Sequence, residues 1–117
     1  MNNKKIVNLN SLKELRKKYK KIVLVHGVFD LIHKGHLDYF REAKALGEIL
    51  VASVTDDKYV NKGFNRPYFN SNDRIRFLSE LDIIDYVVLS KNKSSFEIIN
   101  SLKPNYYVKG PDYLKKK

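Results

Sequence analysis

Short apolar runs that alternate with segments of helical period constrain this chain more than any other feature. "KIVLVHG" (21–27) is a continuous β-branched run ending in glycine, and "EILVASV" (48–54), "YVVLS" (86–90) and "NYYVKG" (105–110) repeat the type. A run without polar alternation is a strand covered on both faces, as in a parallel sheet. Between the runs the period becomes helical. Residues 10–20 place Leu12, Leu15 and Tyr19 on one side, with Asn10 or Ser11 as N-cap. "GHLDYFREAKAL" (35–46) does the same with Leu37, Phe40, Ala43 and Leu46, and Gly47 is a natural stop. Residues 70–82 turn Ile75, Leu78 and Leu81 inward, and 94–102 forms a last helix that Pro104 ends. The order β-α-β-α-β-α-β predicts an α/β fold: a Rossmann-like three-layer α/β/α sandwich with a parallel sheet of four or five strands and right-handed crossovers. Ligands of such sheets bind beyond the carboxyl ends of the strands, where strand order switches, so the loop after "KIVLVHG" is the expected site.

Length and composition set the remaining bounds. At 117 residues the chain is expected to form a single domain over 1–117. It has no cysteine, which excludes disulfides and thiolate metal sites. No signal-peptide run follows the N-terminal basic residues, so a cytoplasmic location is expected. The longest apolar runs, "IVLV" and "ILVASV", fall far short of the roughly 20 residues of a membrane helix. The formal charge is +10, from 23 Lys and Arg against 13 Asp and Glu. Such a field attracts polyanions or phosphorylated small molecules without choosing among them. Its clusters, "KELRKKYKK" (13–21) and "LKKK" (114–117), read first as solvated faces.

The chemistry is concentrated in "HGVFDLIHKGH" (26–36). His33 and His36 stand at the mouth of the first strand and the start of the next helix. A helix N-terminus offers unpaired N–H groups and the positive end of the macrodipole, which bind phosphate. Gly35 lets backbone approach a ligand closely. Imidazoles placed there can donate to phosphoryl oxygens and stabilise charge that develops at phosphorus. A zinc pair is the competing reading, but no cysteine and no third ligand supports it, and no metal site is assigned. His26 reads as a structural or cleft-wall residue.

"GVFDLIHKGH" resembles the signature of the cytidylyltransferase-like nucleotidyltransferases, in which Gly-x-Phe-Asp precedes His-x-Gly-His. Four further segments, "ILVASVTDD" (49–57), "NKGFNRP" (61–67), "NDRIRFLSELDIIDYVV" (72–88) and "LKPNYYVKGPDY" (102–113), resemble the adenylyltransferase domain of bacterial heptose-phosphate enzymes. The resemblance implies that the phosphate of a phosphorylated sugar or polyol attacks the α-phosphorus of a nucleoside triphosphate, ATP in preference to CTP, and releases pyrophosphate. Magnesium arrives with the triphosphate. Carried over, His33, His36 and Lys62 are catalytic. Gly27, Val28, Phe29, Asp30, Gly35, Arg74, Lys109 and Gly110 bind nucleotide, while Asp56, Arg66 and Asp112 stand toward the acceptor. Bland readings stay open beside these. Asp30 either meets the nucleotide or fixes its loop, Asp56 either reaches a ribose or caps a turn, and Arg74 either meets phosphate or forms a surface pair.

The chain departs from the family in two places. Pro111 stands where the family's Lys-Gly-Gly-Asp-Tyr segment has its second glycine. The C-terminal strand and Ser/Thr-rich helix start of longer relatives are expected to be missing after Lys117. A non-catalytic nucleotide-binding or regulatory module is therefore the alternative function. A nucleic-acid partner is not expected, because no recognition motif or stacking platform accompanies the charge. The resemblance also admits a homodimer.

Overall fold

The computed structural model describes residues 4–60, 67–92 and 94–109. Five parallel strands, β1 (Ile6–Val7), β2 (Ile22–Gly27), β3 (Ile49–Thr55), β4 (Tyr86–Ser90) and β5 (Tyr106–Val108), form one sheet in the order β1-β4-β3-β2-β5. Four helices connect them: α1 (Leu9–Lys18), α2 (Lys34–Lys44), α3 (Ser71–Ser79) and α4 (Phe96–Leu102). The Rossmann-like three-layer sandwich expected from the alternation is the fold observed. The strand read as the first is β2. The two-residue β1 ahead of it, paired with β4, is too short to carry a pattern of its own.

Alternate residues of each strand enter two cores. Val23, Val25, Leu50, Ala52, Val54 and Val87 meet Phe40 and Ala43 of α2 and Ile75 and Leu78 of α3. Ile22, Leu24, Ile49, Val51 and Val88 meet Leu12 and Leu15 of α1 and Ile98 and Leu102 of α4. All seven residues of β3 are buried, because it is the central strand with helices above and below. Removing each such aliphatic side chain from water contributes roughly 1.5–3 kcal/mol. From β2 the chain steps outward to β3 and β4, then returns across the sheet to lay β5 on β2's other side. The switch in strand order therefore lies at β2, and its carboxyl end is the crevice that α/β sheets use for ligands.

Local readings are corrected in several places. Asn8, not Asn10 or Ser11, caps α1 by accepting from the Ser11 N–H at 3.0 Å. On α2, Leu37 and Leu46 are 38% and 44% exposed, and Tyr39 is buried in their stead. The Tyr39 hydroxyl donates to the Val108 carbonyl, so α2 is rotated to tie down the end of β5. Gly47 lies past the helix end, where an added Cβ would come within 2.8 Å of the Lys21 carbonyl oxygen, so close approach to β2 requires it. No helix among the described residues is long and apolar enough to cross a membrane.

Candidate active site

The loop leaving β2 turns on two adjacent constraints. Phe29 has φ 52°, a left-handed conformation that a bulky side chain seldom adopts and that costs of order 1–3 kcal/mol. Its ring folds back over Gly27, where an added Cβ would stand 3.1 Å from the ring. The ring is 7% exposed and meets Phe40 at 5.4 Å and His36 edge-on at 6.0 Å between centroids. Gly27 and Phe29 thus form one packing unit that seats an imidazole.

His33 is the N-cap of α2, and its Nδ1 accepts the Gly35 N–H at 3.0 Å. His36, one turn on, returns the bond: its Nδ1 accepts the His33 N–H at 3.3 Å. The two rings lie 4.2 Å apart. A Cβ on residue 35 would come 2.8 Å from His33 Cε1, which explains the glycine between them. A neutral imidazole that accepts through Nδ1 carries its proton on Nε2. Capping therefore sets the tautomer of both rings and places an Nε2–H on each, beside a helix N-terminus whose first turn has no acidic side chain.

Asp30, 8% exposed, accepts the N–H groups of Tyr68 at 2.7 Å and Phe69 at 2.9 Å. Of its two readings the structure displays the one that fixes the loop, with a partner segment nearly 40 residues away. Asp56 accepts the Lys58 N–H at 3.2 Å and caps a single 3₁₀ turn, Asp57–Tyr59. Lys109 follows β5, beside the end of β2 with which Val108 pairs. Lys62, Arg66, Gly110 and Asp112 lie outside the described residues.

Arg74 corrects the surface-pair reading: its side chain is 0% exposed. Nε donates to the Phe69 carbonyl at 2.9 Å, and Nη1 donates to the carbonyls of Val28 and Thr55, both at 2.8 Å. Nη2 pairs with the Asp57 carboxylate, which also accepts the Ser71 N–H at 3.1 Å. Burial alone would raise the Asp57 pKa, but the Arg74 and Ser71 hydrogen bonds outweigh it and hold the carboxyl below its usual range. Asp57 and this inward Arg74 were not recognised from the sequence, because neither the second aspartate of "TDD" nor an arginine in a first helical turn announces a buried partner.

His26 is half-buried, with Nδ1 2.8 Å from Ser53 Oγ, and burial lowers its pKa below the ordinary value. A cavity of about 400 Å³ lined by Asn8, Asn10, Ser90, Lys91 and Glu97 opens at the other flank of the sheet, by β1 and β4. It does not include the histidines, and its shape alone is a weaker guide than the donors at α2. Among the described residues no group of three or more His, Asp or Glu side chains is arranged to hold a metal ion.

Comparison with known proteins agrees with the geometry. The cytidylyltransferase-like family model matches residues 24–117. "Bifunctional protein HldE" of Helicobacter pylori (strain G27) is 44% identical over 115 residues, 96% of this chain and 25% of that protein. The protein of the same name from Campylobacter fetus is 37% identical over 116 residues. The chain thus spans about a quarter of the length of these relatives. Among solved structures, the lipopolysaccharide core biosynthesis protein from Thermoplasma volcanium superposes with a TM-score of 0.69 at 32% identity, covering 74% of this chain and 71% of that one. Pantoate-beta-alanine ligase from Francisella tularensis shares the fold, with a TM-score of 0.57 at 18% identity over 87% of this chain and 54% of that one. The family match over most of the chain, joined to the parallel sheet, makes this chain a member of the cytidylyltransferase-like family.

Proposed function

We propose that the domain transfers a nucleoside monophosphate from a nucleoside triphosphate, ATP in preference to CTP, to the phosphate of a phosphorylated sugar or polyol. The observation that carries the reading is the reciprocal capping of His33 and His36, which fixes both imidazoles at the positive end of α2 with their protons on Nε2. In the reaction an acceptor phosphate oxygen bonds to the α-phosphorus as the bond to the pyrophosphate oxygen breaks in line. No covalent enzyme intermediate is needed. Charge grows on the phosphoryl oxygens, and donors already held in place stabilise it without reorganising. The N–H groups of the α2 N-terminus add to the same field.

Magnesium, bound to the triphosphate, would neutralise part of its charge; the described residues at α2 are donors, suited to phosphate oxygens rather than to a cation. Lys62 joins the catalytic group by resemblance, Lys109 and Gly110 the nucleotide side, and Arg66, Asp112 and Asp56 the acceptor side. Likeness to the heptose-phosphate adenylyltransferases supports the ATP preference and the sugar phosphate, and it extends the proposal to a cytoplasmic homodimer.

Titration calorimetry of ATP and CTP with magnesium, followed by an assay of pyrophosphate release with candidate sugar phosphates, tests the proposal. One nucleotide is expected to bind, and release is expected to depend on His36. Release that survives in His36→Ala would remove the histidine pair from the mechanism, and binding without release on any sugar phosphate would favour a binding module.

A further inference from the structure

We propose that Arg74 and Asp30 are positioning residues that set the His36 imidazole through Phe29; the catalytic half of the proposal rests on the transferase reading above. The side chains close a circuit. Arg74 Nη1 donates to the Val28 carbonyl, and the backbone runs from Val28 through Phe29 to Asp30. The Asp30 carboxylate accepts from Tyr68 N–H and Phe69 N–H, and the Phe69 carbonyl accepts from Arg74 Nε, returning to the start. Phe29 lies between the two anchored residues, Val28 and Asp30, and has positive φ.

A left-handed phenylalanine persists only where its surroundings hold it. The circuit grips the backbone on both sides of Phe29, at the Val28 carbonyl and at Asp30. The ring, thus directed, lies over Gly27 and presents an edge to His36. Arg74 also holds the Thr55 carbonyl and Asp57, so the ends of β2 and β3 move with it. Every group in the circuit is protein, with Arg74 fully buried and Asp30 nearly so. Its output is the orientation of the His36 imidazole, which meets the Phe29 ring edge-on.

The test uses Arg74→Lys, Asp30→Asn and Phe29→Leu, each checked for a cooperative thermal transition. Ring ¹⁵N–¹H NMR spectra then read the tautomer and environment of His36 without reference to activity. In folded Arg74→Lys the His36 ring signals are expected to move. The kcat for pyrophosphate release is expected to fall about 10²-fold, with KM for the nucleotide changed far less, since a misplacement of order 1 Å has that effect. Phe29→Leu leaves the hydrogen-bonded circuit intact and should give the same pair of changes, so it carries the test should Arg74→Lys fail to fold. Unmoved His36 signals in a folded Arg74→Lys or Phe29→Leu protein would overturn the proposal, as would an equal loss of kcat without any change at His36. A wild-type chain that releases no pyrophosphate would sink the transferase reading while the NMR arm still decides the circuit.

Discussion

His33 and His36 cap one helix by exchange: His33 Nδ1 accepts a hydrogen bond from the Gly35 N–H inside α2, and His36 Nδ1 accepts one from the N–H of His33 itself. The arrangement joins two tasks that helix starts usually separate. The acceptor atom of each ring satisfies the fold, and the opposite atom carries the ring N–H.

Those tasks can be pulled apart at His33. Asparagine is a strong N-cap but has no donor at the Nε2 position. His33→Asn is therefore expected to keep stability within about 0.5 kcal/mol, whereas His33→Ala should lose about 1 kcal/mol. Both should lower kcat by about 10²–10³-fold, the usual effect of removing one transition-state donor. Urea denaturation and steady-state pyrophosphate release on the two variants decide it; an active His33→Asn would confine His33 to capping.

Gly35→Ala tests the close approach between the rings. The new Cβ would meet His33 Cε1 at 2.8 Å, so the imidazole must leave its cap. Activity is expected to fall about 10²-fold, for the misplacement of a catalytic group. The stability loss should resemble that of His33→Ala, and chemical denaturation beside kinetics measures both.

Asp57→Ala removes the anion that faces a wholly buried guanidinium. Asp57 is 41% exposed, so solvent can partly replace it, and a loss of roughly 1–3 kcal/mol is expected for the donor left short of a partner. Because Asp57 titrates below its usual range, its contribution is full above the unfolded pKa of 3.8 and is lost as pH falls through the lower folded value. In the variant, stability should depend less steeply on pH in that acidic window, which denaturant titrations across it would register.

His26 acts in a different window. Burial depresses its pKa from the ordinary 6.5, so on acidification the unfolded chain takes up a proton before the folded chain does. Its contribution is complete above about pH 6.5 and declines from there down to the folded pKa. His26→Gln should flatten the rise of the urea midpoint between acid and neutral pH relative to wild type. An unchanged slope would show that the Ser53 contact, rather than desolvation, governs this histidine.

Element order from α1 onward was legible in the sequence because each of those elements announces itself within a few residues, as the two-residue β1 does not. β-branched runs that must be covered on both faces, helical spacing such as Leu12 and Leu15, and stops such as Pro104 are local, and local steric rules decide them. The histidines were legible for the same reason: strand end, glycine and helix start are contiguous between Gly27 and His36. Tertiary structure alone decided where Arg74 points. Its partners Phe69, Thr55 and Val28 lie 5, 19 and 46 residues away, and they converge only once β2 and β3 pair and α3 packs across them. The same holds for Tyr39, whose burial depends on a β5 carbonyl 69 residues on. Periodicity reports which side of a helix is apolar. It cannot report which backbone groups the folded chain brings to a polar side chain, because loop closure and strand pairing set those distances.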